Sequence, residues 1–263
     1  MKTAIAYEWC RVRTLRSTWW LAATTLLASA LLTWAFGTLL SHMTATSGTT
    51  VPGHEALVAM LIKSPLTPAV AGTLGVFAMG HEYQHGTIRT TLMVTPRRLT
   101  ALCAKGLSIG CFSMLLALAN LSVAWLVVFA TTTVSLEDPA PATLLRVHVG
   151  QVLLVLGWGL AGVFLGALIR SQTTALFTLL SVPFIAEPIL RALLRSSGQP
   201  LLEQASALLP FSAASALTDA PTTDTSVLAG TAQLSPLAGG LVFFTSIAVQ
   251  GAAASTLLTK RGA

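Results

Sequence analysis

The stretch TWWLAATTLLASALLTWAFGTLL, Thr18 to Leu40, contains no charged side chain. At 1.5 Å per residue, about 20 apolar residues suffice to cross roughly 30 Å of hydrocarbon, so this run is long enough to span a bilayer as a helix. Ala28-Ser29-Ala30 inside it imitates a signal-peptidase site. The apolar run nevertheless continues through Leu31, Leu32, Trp34 and Phe36, beyond the about 7–15 residues of a secretory h-region, and it reads as a retained span.

The rest of the chain repeats this theme. Of 263 residues 54% are hydrophobic and 9% charged, against roughly a quarter charged in a soluble domain. Too few polar residues remain to cover one large core, so lipid must solvate much of the exterior. Further spans are expected within Ala56–Tyr83 (fully apolar from Ala69 to Met79), over Gly106–Ala130, from about Val147 to Ile169, from about Thr173 onward, and over Leu237–Leu258. The expected fold is all-α: a single polytopic transmembrane domain of about six helices over residues 1–263. Before the first span, Ile5, Trp9, Val12 and Leu15 recur at steps of four, three and three among Lys2, Arg11, Arg13 and Arg16. Residues 1–17 thus read as an interfacial amphipathic elbow helix. Residues 41–55 and 131–143 read as external loops.

The second and fifth spans are irregular. Lys63, Pro65 and Pro68 interrupt the outer third of the second, where Lys63 can snorkel to the interface. Pro183, Glu187, Pro188 and Arg191 lie in the outer half of the fifth and predict a kink or break there. Broken helices are tolerated in membranes where protein or a water-lined cavity surrounds them, so these two spans are expected to border a pathway. Beyond the fifth, residues 196–235 contain a helical face too short to cross and read as external or re-entrant helices.

Counting Lys and Arg fixes the orientation, because cationic residues concentrate in cytoplasmic loops. Lys2, Arg11, Arg13, Arg16, Arg89, Arg97, Arg98, Lys105, Arg170, Lys260 and Arg261, eleven of the fifteen, fall on one side. Seven of the nine acids fall on the other. The expectation is a multi-pass protein of the cell (inner or plasma) membrane with both termini cytoplasmic. The net charge of +6 is accounted for by these clusters at span ends, which form no stripe interleaved with aromatics; nucleic acid is not an expected partner. Cys10, Cys103 and Cys111 have no C-x-x-C spacing, and neither a disulfide framework nor a zinc ribbon follows.

The richest chemistry lies between the second and third spans: His81-Glu82-Tyr83-Gln84-His85-Gly86-Thr87-Ile88-Arg89, continuing to Thr95-Pro96-Arg97-Arg98 and Lys105. Gly86 suits a helix C-terminal cap, and Thr87 can cap a short helix through Met93. Thr95 with Pro96 at the first helical position then starts a helix that flows into the third span. A short helix held transversely beneath the membrane, with a basic belt around it, is the predicted path.

Together with Glu8-Trp9 through Arg16-Ser17-Thr18-Trp19-Trp20, these residues resemble the permeases of the ABC-2 type transporter family. The whole chain fits that family's plan of an elbow helix, six spans and external re-entrant helices. The resemblance implies that residues 81–105 form a cytoplasmic coupling segment docking on a separate ATPase, through Glu82, Tyr83, Gly86, Thr87, Ile88, Arg89, Thr95, Pro96, Arg97 and Arg98. It also implies two ATPase subunits, pairing of two permease chains as a homo- or heterodimer, and export of a hydrophobic or amphipathic compound between them. No Gly-Lys pair occurs in the chain, so it has no phosphate-cradling P-loop; it is not expected to be an enzyme, and no cofactor is expected on it. ATP and Mg would belong to the partner.

Two other readings compete. His81-Glu82-Tyr83-Gln84-His85 matches H-E-x-x-H, which on a helix pairs two zinc-ligating imidazoles with a glutamate base, as in a membrane-embedded zinc metalloprotease. Gly86 directly after it tends to end that helix, and the third protein ligand that a catalytic zinc needs is not evident, the candidates Glu137, His148 and Glu187 falling in the outer half or on the opposite side. A non-transporting assembly or immunity partner of other membrane subunits would share the fold.

Candidates for the substrate pathway are Phe77, Phe177 and Phe184, whose rings could equally be packing, together with Glu187 and Arg191. The last two stand four apart, in the order that favours an ion pair, and charge inside a bilayer is expensive enough to make function a default reading. Gly162 and Gly166, also four apart, permit close helix approach in a dimer or within the chain.

Overall fold

The computed structural model describes residues 2–47, 65–87, 98–131, 141–218 and 234–260. Every element among them is helical: α1 (Lys2–Thr14), α2 (Arg16–Ser47), α3 (Leu66–Gln84), α4 (Arg98–Thr131), α5 (Pro141–Ile169), α6 (Gln172–Ser181), α7 (Glu187–Ser196), α8 (Pro200–Ala207), α9 (Pro210–Ser215) and α10 (Pro236–Lys260), with a π-helical turn, Val182–Ala186, joining α6 to α7.

Among the described residues, five helical runs are long and apolar enough to cross a membrane: Arg16–Leu39, Arg98–Ala130, Leu144–Ile169, Gln172–Ser196 and Pro236–Lys260. By length and composition this is a multi-pass membrane protein. The second expected span is represented by α3, whose 19 residues would rise about 28 Å. Its last turn, His81-Glu82-Tyr83-Gln84, makes it less apolar than the others, and the residues that lead into it, Lys63 among them, lie outside the described residues. The helix of the first span continues to Ser47, further than the apolar run, because Ser41–Ser47 contains no Pro or Gly to stop it.

The N-terminal residues are helical as α1, and the helical pattern is interrupted only at Leu15 before α2 begins. At the centre of the bundle, α3 and α5 run side by side in the same direction and closer than ordinary side chains allow. A Cβ added to Gly162 would overlap the carbonyl oxygen of Gly72, one added to Gly75 would overlap that of Gly159, and one at Gly166 would lie 3.2 Å from the Val76 carbonyl oxygen. The small residues Gly162 and Gly166 therefore serve an internal contact, in which backbone dispersion replaces side-chain packing. Around this seam α4 packs on α5, α2 on α4, and α10 on α5.

The face of α2 turned into the bundle is built from Thr18, Ala22, Thr25, Ser29 and Thr33, all buried, whereas Trp20, Leu27, Leu31, Trp34 and Phe36 are exposed. That arrangement is inverted relative to a soluble helix and belongs to a protein whose solvent is hydrocarbon.

The fifth span is irregular where Pro183 and Pro188 predict it to be. Pro183 supplies no N–H, and the ladder widens there into one π turn, with the Glu187 N–H reaching back to the Val182 carbonyl. It is also the least enclosed span: 11% of its apolar window is buried, against 50% for α5.

Candidate functional site between α1, α3 and α4

Four charged side chains meet where α1 crosses the C-terminal end of α3 and the N-terminal end of α4. Lys105 Nζ donates to Glu8 Oε1 at 2.6 Å and to Glu82 Oε1 at 2.5 Å. Arg11 Nη1 donates to the same Glu82 oxygen at 2.5 Å and lies 3.7 Å from Glu8 Oε2. Glu8, Glu82 and Lys105 are 5%, 2% and 1% exposed, which places the cluster in a low-dielectric setting where an uncompensated charge would be costly. Two anions and two cations balance within it.

Local sequence explains how the groups arrive there. On α1 the inward face is Ile5, Glu8 and Val12, at steps of three and four, so the acid stands in the apolar stripe; Arg11 is one turn from Glu8. Glu82 occupies the last turn of α3, and Lys105 is the second turn of α4, between the buried Ala104 and the small Gly106. Glu82 and Lys105 are the two roots of the segment 83–104, which the predicted coupling path follows. Their contact holds the end of α3 against the start of α4, and Glu8 and Arg11 tie both to α1.

Neighbouring contacts extend this cluster. Gly86 follows α3 with φ of +67°, the left-handed conformation in which glycine lacks the strain of other residues, and its N–H reaches the Tyr83 carbonyl. Arg170, in the inner turn between α5 and α6, lies 5.7 Å from the centre of the Tyr83 ring, a cation–π distance. Arg98 Nη1 donates to the Leu258 carbonyl at 2.6 Å, joining the start of α4 to the last turn of α10. Of the expected coupling residues, Glu82, Tyr83, Gly86, Thr87 and Arg98 are among the described residues. Ile88, Arg89, Thr95, Pro96 and Arg97 lie outside the described residues, as does the predicted helix through Met93.

His81 and His85 stand one turn apart, with ring centroids 6.0 Å apart at 78°. His81 stacks on Phe77 at 5.0 Å, and His85 Nδ1 is 2.9 Å from the His81 carbonyl. Glu82, which a metalloprotease would use as base, is held instead by Lys105 and Arg11 on another side of the helix. Among the described residues no group of three His, Cys, Asp or Glu gathers in a metal-binding arrangement.

The residues expected along a substrate pathway are distributed. Phe77 is partly buried beside a small pocket between α1, the start of α2 and α3 that Glu8, Arg11 and His81 also line. Phe177 is 70% exposed on α6, and Phe184 packs its ring 5.8 Å from Trp158. Phe77 is therefore apart from Phe177 and Phe184. Glu187 is 5% exposed and accepts from the backbone N–H groups of Phe211 and Ser212, at 3.1 and 2.8 Å, and from the Ser212 hydroxyl at 3.1 Å. It caps the N-terminus of α9, a favourable place for an anion, and so fastens that helix to the start of α7. Arg191 lies one turn further along α7.

Glu8, Arg11 and Lys105 were not evident as site residues from composition or motif. The available signal was a charge inside an otherwise apolar stripe, Glu8 on the elbow and Lys105 at the start of a span, since such a charge requires a partner. Compared with known proteins, the chain matches no family model and no curated protein.

Proposed function

We propose that this chain is the permease subunit of an ATP-driven exporter of the ABC-2 type. In this reading six spans cross the cell membrane with both termini inside, α3 completing the second. Two ATPase subunits dock on the segment 83–104, and two permease chains pair so that a hydrophobic or amphipathic compound leaves between them. ATP and Mg are handled by the ATPase.

The observation that carries the proposal is the buried cluster Glu8–Arg11–Glu82–Lys105. It joins the neck of the proposed docking segment to α1, α3 and α4 together. A force applied to that segment is therefore delivered to three helices, and α3 passes it to α5 through a glycine seam too tight to slip freely. The sparsely enclosed fifth span supplies an apolar face, including Phe177, Ile185 and Ile189, suited to a second permease chain or to cargo.

The test is reconstitution of the full chain with candidate ATPase subunits, in vesicles loaded with candidate amphipathic cargo. ATP-dependent movement of cargo that falls when Glu82 or Gly86 is replaced, with the complex intact, is the expected result. Unchanged transport in those variants would remove the coupling assignment. A stable complex that moves no cargo and shows no cargo-stimulated ATP hydrolysis would favour an assembly partner instead.

A further inference from the structure

An open groove of about 730 Å³ runs along the lipid-facing side of the inner half of the bundle, between α4, α5 and α10. Gly106, Gly110 and Gly251 line it together with Leu99, Cys103 and Met114. From Leu99 to Met114 it follows α4 for about 22 Å, enough to take a chain through the roughly 15 Å of hydrocarbon in one leaflet. At its cytoplasmic end the two helices that form its walls are bridged by Arg98, whose guanidinium holds the Leu258 carbonyl. That bond uses Nη1 of a group with five N–H donors. Exposed Lys260 follows two residues after Leu258.

We propose that this groove holds one acyl chain of an inner-leaflet phospholipid with an anionic headgroup, whose phosphate is bound by Arg98 and Lys260. The occupant is set by the combination: walls of hydrocarbon and glycine over the depth of a single leaflet, and, among the described residues, Arg98 next to the lining residue Leu99 and Lys260 just over a turn beyond the lining residue Ser255. A membrane-spanning helix from another protein would need a site that continues through both leaflets. The inference rests on the inward placement of the basic residues and not on the transport reading, so either can fail alone.

Cys103 lines the groove and is a free, exposed thiol, which makes it a reporter of occupancy. The full chain carrying Cys10→Ser and Cys111→Ser is purified in detergent, and labelling of Cys103 by N-ethylmaleimide is followed as dioleoylphosphatidylglycerol or dioleoylphosphatidylcholine is added. Phosphatidylglycerol should protect Cys103 at lower mole fraction than phosphatidylcholine, by about fivefold for each cation engaged. Lys260→Gln, on an exposed residue, should raise the half-protecting phosphatidylglycerol fraction by about fivefold and leave phosphatidylcholine unchanged. Equal protection by both lipids, or protection by neither, would overturn the proposal. Protection that rises with protein concentration in lipid-free micelles would overturn it in favour of a second copy of the chain.

Discussion

Glu82 sits beneath two cations at once, taking Lys105 and Arg11 on a single oxygen, and this makes its neighbours interdependent. Glu82→Gln leaves the buried cluster with an excess positive charge and should destabilise the chain by about 3–5 kcal/mol, the range for breaking a buried pair. Lys105→Met added to Glu82→Gln restores neutrality, with Glu8 and Arg11 still paired, so the double variant should unfold at a higher temperature than Glu82→Gln alone. Thermal unfolding of the four proteins in the same detergent gives the coupling; additive losses would mean that the four charges do not act as one group. Only part of this was legible in the sequence. Glu82 stands in a recognisable string, whereas the partner of Lys105 is set by how α1 crosses the bundle, a tertiary fact that no local pattern encodes. Likewise the spacing of Glu187 and Arg191 suits an ion pair on one helix, whereas the Phe211 and Ser212 N–H groups that reach both oxygens of Glu187 come from a distant element that no local pattern names.

At the level of the helices, the glycines divide into those that carry close approach and those that do not. Gly162→Ala forces a methyl into the Gly72 carbonyl and should cost about 1–3 kcal/mol or more, as overpacking does. Gly106→Ala meets nothing nearer than Leu160 Cδ2 at 3.7 Å, and helix propensity should make it neutral or stabilising by up to about 1 kcal/mol. Unfolding midpoints of the two variants check the contrast; equal effects would contradict the packing described. The external end offers a second check. Glu187→Ala removes the cap of α9 and should raise hydrogen exchange at Phe211 and Ser212 while leaving the α3–α5 seam protected. The kink of the fifth span was readable because proline acts locally, through a missing N–H. The identity of the Gly162 partner was not, since four-residue spacing of small side chains fits any close neighbour, in the same chain or another.

For the molecule as a whole, charge asymmetry and apolar run length suffice to establish a helical membrane protein, because the bilayer imposes a length and an interior polarity that sequence reports directly. The proposed orientation rests on the charge asymmetry and is open to a simple check: a membrane-impermeant maleimide should label Cys10 in inside-out vesicles and not in right-side-out ones, and the reverse pattern would invert the topology. Apolar run length reports α3 less clearly than the other long helices, because the polar turn His81–Gln84 lowers its signal. The most direct measurement of the central claim is photo-crosslinking from the segment 83–104 in native membranes, with a crosslinking residue placed at Ile88 or Thr95 and another at exposed Leu126 as the outer control. The account predicts that an ATPase bearing a P-loop is captured from Ile88 and Thr95 and not from Leu126. Capture of no ATPase from either inner position, or equal capture from Leu126, would contradict it.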